Sequence, residues 1–267
     1  MKQLITIFMI IGFTTIFGSC SERALFSSGR WIDLTHDFSS ETAYWPTADS
    51  FKLEEVFKGF TEKGFYYSAN NFSAAEHGGT HIDAPVHFAE GKQSVDMIPL
   101  SNLIAAAVVV DVSDKTMKNR DYQIVVADFI GWEAQYGIIP DGVIVLLNTG
   151  YAAFWSDREK YMGTAERGAG AVSELHFPGL HPQAAKWLVE ERKIKAIGLD
   201  TPSIDYGQSV LFESHQILFN ENIPVFENVS NIHILPATGS FVIALPMKIM
   251  GGSGGPLRIV AFVQDKS

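Results

Sequence analysis

Residues 77–88 read His-Gly-Gly-Thr-His-Ile-Asp-Ala-Pro-Val-His-Phe, and the rest of the chain is best read outward from them. The metal-capable side chains at 77, 81, 83 and 87 share one parity, and in extended chain one parity is one face. Position 79 on that face is glycine, which leaves the space between His77 and His81 open, and Pro85 argues against a helix running through. The spacing therefore predicts a strand that ends in a turn. Neutral imidazole and carboxylate suit Zn, Mn or Fe(II), and a catalytic site needs about three protein ligands beside an open position. His77, His81 and Asp83 are that number. A single histidine in apolar surroundings is usually a hydrogen-bonded residue and no ligand. Four such groups on one face are different, because burying them unpaired would cost roughly 1–3 kcal/mol each, a cost that a divalent cation removes.

The stretch resembles the signature of the cyclase family, the metal-dependent amidohydrolases that include bacterial kynurenine formamidase and isatin hydrolase. The family pattern His-x-Gly-Thr-His-x-Asp-x-Pro-x-His is met at every fixed position from His77 to His87. The resemblance implies a swivelling three-layer β/β/α fold and one or two divalent ions, Zn or Mn. It also implies a general acid/base role for His87, and a substrate-lining role for Trp45, the tryptophan before Pro46.

Upstream, Met1 to Cys20 carry Lys2, then an almost unbroken apolar run from Leu4 to Phe17, then Gly-Ser-Cys. A positive start, about a dozen apolar residues and small residues before the cut are the marks of a secretory signal, too short to be counted on as a membrane span. Cys20, the only cysteine, directly follows Gly18-Ser19, so residues 1–19 look like a bacterial lipoprotein signal, with Phe17 departing from the usual leucine. The expectation is an exported protein on the periplasmic side of the envelope, touching the membrane only through a lipid on Cys20. With that cysteine consumed no disulfide is possible. Removing 19 of the 267 residues leaves 248, which fit a linker over 20–30 and one domain over 31–267. The net charge of −10, with no basic run, weighs against a nucleic-acid partner.

Trp31 to Thr35 reads as a strand, and Phe65 to Phe72 alternates weakly, as a half-buried strand would. Ala105 to Val112 and Val143 to Leu147 are apolar runs suited to strands buried on both faces. Val126 to Tyr136 has helical spacing closed by Gly137, and a second helix runs from Pro182, capped by His181, to Arg192. A strand over 194–199, a helix near 212–220, a short strand over 223–226 and two final strands, 241–249 and 257–263, complete the reading. Strands and helices alternate through the middle while the ends are strand-rich, which predicts an α/β domain with a mixed sheet.

One ligand set leaves Asp83 with a second oxygen free to bridge a pair of ions. His215 and Glu227 are the further candidates, since a carboxylate ending a buried strand wants a cation, although a salt-bridged strand end is the plainer reading of Glu227 alone. The resembled formamidases carry a histidine and a glutamate twelve residues apart in this region, which implies metal ligation by both. Gly251-Gly252-Ser253-Gly254-Gly255 matches a nucleophile pattern, but Pro256 and a strand follow where that motif needs a helix, and no histidine lies beyond it. A tight loop remains, with backbone amides available to a substrate. Asp200-Thr201-Pro202-Ser203 follows a buried strand and is expected behind the ligands, and His176 stays ambiguous.

The resemblance thus implies a metal-dependent hydrolase cleaving the C–N bond of a small amide, either an N-formyl arylamine or a cyclic amide or imide, working as a homo-oligomer. A metal-containing lipoprotein that binds a small ligand without catalysis is the rival, and it would have no need of His87.

Overall fold

The computed structural model describes residues 28–265, so the signal segment, Cys20 and most of the linker lie outside the described residues. Its strands are Gly29–Asp33 (β1), Lys52–Phe60 (β2), Tyr66–Ser73 (β3), His81–Asp83 (β4), Ile104–Asp111 (β5), Ile144–Asn148 (β6), Ala196–Leu199 (β7), Val225–Glu227 (β8), Ser240–Pro246 (β9) and Gly254–Gln264 (β10), with a further two-residue pair, Gln123–Ile124 and Gly179–Leu180. The helices of eight or more residues are Val126–Tyr136 (α1), Pro182–Arg192 (α2) and Glu213–Asn220 (α3).

Eight strands form one mixed sheet in the order β1-β10-β9-β5-β6-β7-β8-β4. β5, β6, β7 and β8 run parallel, joined by helical crossovers, and the other pairings are antiparallel. The long β10 also pairs with β4, Gly254 opposite Asp83 and Pro256 opposite His81, so the sheet closes on itself like a barrel.

Alternation along the central strands divides the core into two layers. Val108, Val110, Val145 and Leu147 face outward onto Phe129, Trp132, Leu188, Leu218 and Phe219 of the three helices. Ala107, Val109, Ile144 and Leu146 face inward onto Val242, Ala244, Ile259 and Ala261 from the opposite wall. Both strand faces are thus dry, which is why these segments read as continuous apolar runs. Two sheet walls and one helical layer are the β/β/α arrangement that the family resemblance implied.

Local signals placed the helices well. The Asp128 carboxylate accepts the Val125 N–H at 2.8 Å and opens α1, and Gly137 at φ +91° ends it. His181 Nδ1 accepts the Gln183 N–H at 3.1 Å, capping α2 ahead of Pro182. The hairpin β2–β3 corrects the sequence reading. Its strands pair only with each other and are exposed along almost their whole length, so β3 is not half-buried, and β2 had not been expected at all.

Candidate metal centre

Three strands set the site. β4 lies between β8 and the start of β10, and its register with β8 puts Glu227 opposite His81 and Val225 opposite Asp83. The expected continuous strand from 77 is corrected here: β4 begins at His81, because Gly79 adopts φ +60°. A Cβ at Gly79 would lie 2.5 Å from the Phe38 ring, so this glycine serves a turn under Phe38 and not an opening between histidines. Parity therefore explains His81 and Asp83, whereas the turn delivers His77. After Asp83 a 3-10 turn over Pro85–His87 returns His87 to the same place, its ring stacked on His77 at 3.8 Å between centroids.

The first half of the cluster gathers at one oxygen of Asp83. His77 Nδ1 lies 2.6 Å and His81 Nε2 3.0 Å from Oδ1. The second half gathers at the other oxygen: His215 Nε2, from the first turn of α3, is 3.2 Å from Asp83 Oδ2 and 3.3 Å from Glu227 Oε1. Glu227 Oε2 closes the circle at 3.5 Å from His81 Nε2. Two trios, His77–Asp83–His87 and His81–Asp83–Glu227, have ligand atoms spaced as a metal ion requires. The fold therefore brings together every candidate ligand named from the sequence, with Asp83 central to both trios.

The outer nitrogens decide what the inner ones can do. His81 Nδ1 faces the Gly79 carbonyl at 3.0 Å, and His215 Nδ1 faces Asp205 Oδ2 at 2.6 Å. Each donates its proton outward, so in the neutral ring the inner nitrogen of each is a lone pair directed at carboxylate oxygens. His81 Nε2 is buried, and its approaches to Asp83 Oδ1 and Glu227 Oε2 lack hydrogen-bond geometry. Lone pairs facing carboxylates repel unless a cation lies between them, so the donor set fits a divalent metal.

Electrostatics agree. Burial works against a charged His81, yet Asp83, Glu227 and the Gly79 carbonyl outweigh it and raise the pKa. His215 is raised well above its ordinary value in the same way, against burial, by Asp205, Asp83 and Glu227. Asp83 is held well below the usual carboxylate range by His77, His81 and His215 despite burial, whereas burial and the charge of Asp83 raise Glu227. The cluster attracts positive charge, and protons occupy the role that a metal would take. His87 is the exception: burial pushes it down to about 4.

A cavity of about 300 Å³ opens onto these groups, with Trp45, Phe88, Met162, Pro202 and Phe212 as apolar wall. Trp45 lies edge-on to Phe177 and Phe212 at 6.4 and 6.3 Å. Of the 200–203 segment, Pro202 and Ser203 line the cavity, while buried Asp200 accepts the Thr149 N–H and hydroxyl behind it. His176 pairs with Asp121 at 2.9 Å and takes no part. Nor do the glycine-loop amides, since residues 251–255 do not line the cavity; Gly254 and Gly255 pair with Asp83 and Ile82 instead. Sequence reasoning missed Asp205, Glu76 and the position of Ser253 beside His77. Asp205 accepts the Ser214 and His215 N–H groups from the loop well ahead of α3, whose N-cap position is Phe212, so no local capping signal marked it.

The cyclase family model matches residues 32–206. The chain is 31% identical to isatin hydrolase of Roseibium aggregatum over 241 residues, 87% of this chain and 86% of that protein. It is 29% identical to kynurenine formamidase of Bacillus cereus over 237 residues, 87% of this chain and 97% of the relative. Among solved structures, isatin hydrolase A from Ralstonia solanacearum superposes with a TM-score of 0.80 at 33% identity, covering 88% of this chain and 92% of the other. The family match and these likenesses extend well beyond the His77–His87 signature, and on them the chain belongs to the cyclase family.

Proposed function

We propose that this protein is a metal-dependent hydrolase of a small amide C–N bond, acting on an N-formyl arylamine or a cyclic amide or imide, as the names of its relatives indicate. One observation carries the reading. His81 and His215 have their outer nitrogens committed to acceptors and aim their inner lone pairs at Asp83 and Glu227. His77, His81 and Asp83 would hold one ion, and Asp83, His215 and Glu227 would hold a second, Zn or Mn being suited to imidazole and carboxylate. Such an ion supplies Lewis-acid polarisation of a carbonyl and makes water acidic enough to ionise near neutral pH.

The chain's own residues do the rest. His87 stacks on His77 and, with its pKa pushed down to about 4 by burial, enters the reaction neutral and able to accept a proton. A low pKa makes its protonated form a strong donor, which suits delivery to the leaving nitrogen. Trp45, Phe88 and Phe212 offer a flat aromatic amide an apolar wall that excludes water from the reacting carbonyl. A ligand-binding lipoprotein would need the wall and the metal, but would have no use for His87 at that place.

A lipidated Cys20 would hold the enzyme on the periplasmic side of the envelope, by the form of residues 1–20. Self-association is supported by the β2–β3 hairpin, which exposes Leu53, Val56, Phe60, Phe65, Tyr66, Tyr67 and Phe72. Its segment 52–73 holds three lysines and three glutamates in a chain of net charge −10, so a second copy meets no net repulsion there.

The test is metal analysis of the purified protein combined with a turnover screen of N-formyl arylamines and cyclic amides such as isatin. Bound divalent metal with turnover of at least one class is expected. Full metal occupancy with no turnover in either class would favour the binding protein, and absence of metal would overturn both readings.

A further inference from the structure

Ser253 and Glu76 form a chain with His77 that the proposed hydrolysis leaves unexplained. Ser253 Oγ lies 2.9 Å from His77 Nε2 and 2.7 Å from Glu76 Oε2, and the Ser253 N–H donates to the same Glu76 oxygen at 3.0 Å. On its other side His77 Nδ1 faces Asp83 Oδ1 at 2.6 Å. Serine, histidine and aspartate in this order have the spacing of a nucleophilic triad. Two observations argue against that use. Ser253 is not among the residues that line the cavity, although His77 is, so its hydroxyl is set back behind the imidazole. The proton also runs the wrong way. A serine hydroxyl has one proton, a carboxylate only accepts, and so the proton of Ser253 goes to Glu76. The oxygen is then left to accept from His77, which places the imidazole proton on Nε2 and the lone pair on Nδ1, toward Asp83.

We propose that Glu76 and Ser253 are positioning residues that fix the tautomer and angle of His77, so that Nδ1 is the nitrogen offered to the metal. His81 and His215 have the same device in other forms, a carbonyl and a carboxylate behind the outer nitrogen. The chain is also held in place by packing. The Ser253 carbonyl accepts the Ala84 N–H at 2.8 Å, tying the loop to the end of β4. A Cβ at residue 254 would lie 2.6 Å from His77 Cε1, so glycine there lets the imidazole lie flat against β10. The serine of this loop thereby has a role without being a nucleophile: it orients a ligand, and Gly254 beside it makes room for the ring. The inference rests on the metal reading given above and asks what selects one nitrogen of one ligand.

The experiment titrates metal-stripped parent, Ser253→Ala, Glu76→Ala and Glu76→Gln with Zn against a competing chelator, and measures turnover at saturating Zn. Loss of an outer hydrogen-bond partner to a ligating histidine typically lowers metal affinity 10- to 100-fold. We expect that loss in Ser253→Ala and Glu76→Ala, with most affinity kept in Glu76→Gln, whose amide oxygen still accepts from the serine. Turnover should return to within a few-fold of the parent once Zn saturates. Unchanged affinity in Ser253→Ala, or turnover abolished at full occupancy, would overturn the proposal, the second result pointing to a nucleophile. Nitrogen-15 spectra of histidine-labelled, Zn-loaded parent protein give an answer that depends on no variant: His77 should show a protonated Nε2 and a coordinated Nδ1, and the reverse would overturn it. A parent that binds Zn and turns over substrate while Ser253→Ala behaves identically refutes this inference and leaves the hydrolase standing.

Discussion

His87 and His36 are both imidazoles whose pKa burial pushes down to about 4, yet they bear on different properties. His87 belongs to the chemistry. His87→Ala should keep its metal and its fold while turnover of an N-formyl arylamine or isatin falls about 100- to 10,000-fold, the usual range for a lost general acid/base. Metal content and turnover measured side by side check this, and loss of the metal would make His87 a ligand. His36 belongs to stability. It stacks flat on Trp155 at 3.9 Å between ring centroids, with Nε2 buried and unpartnered among the described residues, and burial outweighs the nearby Asp37 charge. Its folded pKa lies below the ordinary 6.5, so the folded state binds fewer protons than the unfolded one. The contribution is therefore complete above about pH 6.5 and is lost as pH falls toward 4, to a limit of about 3 kcal/mol. Denaturant unfolding of the metal-stripped protein at pH 7 and pH 4.5 should show a smaller difference for His36→Phe than for the parent. Equal differences would remove His36 from the account.

Whether an element was legible in the sequence depended on where its causes lie along the chain. α1 and α2 were read to the residue, because Gly137, His181 and Pro182 end or begin them through local geometry. The buried parallel strands were read from composition within a residue or two, whereas the last two, expected over 241–249 and 257–263, run over Ser240–Pro246 and Gly254–Gln264. β2 escaped, because a strand with water on both faces has neither an apolar run nor a clean alternation to betray it. In the site, His77 to His87 declared themselves by spacing, but the pairing of β4 with β8 and β10 joins residues more than 140 positions apart, and no local pattern encodes that register. Glu227 and His215 were accordingly reached through resemblance, and Asp205 and Glu76 were not reached. The exposed hairpin carries its own prediction. An isolated two-stranded hairpin is marginal in water, and its aromatic faces want a partner. If a second copy supplies that partner, Phe60→Lys combined with Tyr66→Lys should shift the protein toward monomer in sedimentation at unchanged core stability. A parent that sediments as monomer would contradict the proposed self-association.

At the scale of the whole molecule, one mixed sheet closed through β10 and β4 brings distant parts of the chain around a single pair of carboxylates. Composition spoke for that scale only by what it disfavours: an acidic chain with no basic run weighs against a nucleic-acid partner, and a single cysteine allows no disulfide within these 267 residues. The proposed address in the cell is tested on residues outside the described part. Cys20→Ala should move the protein from the membrane fraction to a soluble periplasmic form, and recovery wholly from membranes would count against the lipid. The central claim is that the Asp83–Glu227 cluster holds a divalent metal that hydrolysis requires, and metal stoichiometry measured alongside turnover in the parent and in His81→Ala tests it most directly. The account predicts one or two divalent transition ions per chain in the parent, and their loss together with activity in the variant. Unchanged metal content in His81→Ala, or turnover that survives removal of the metal, would contradict it.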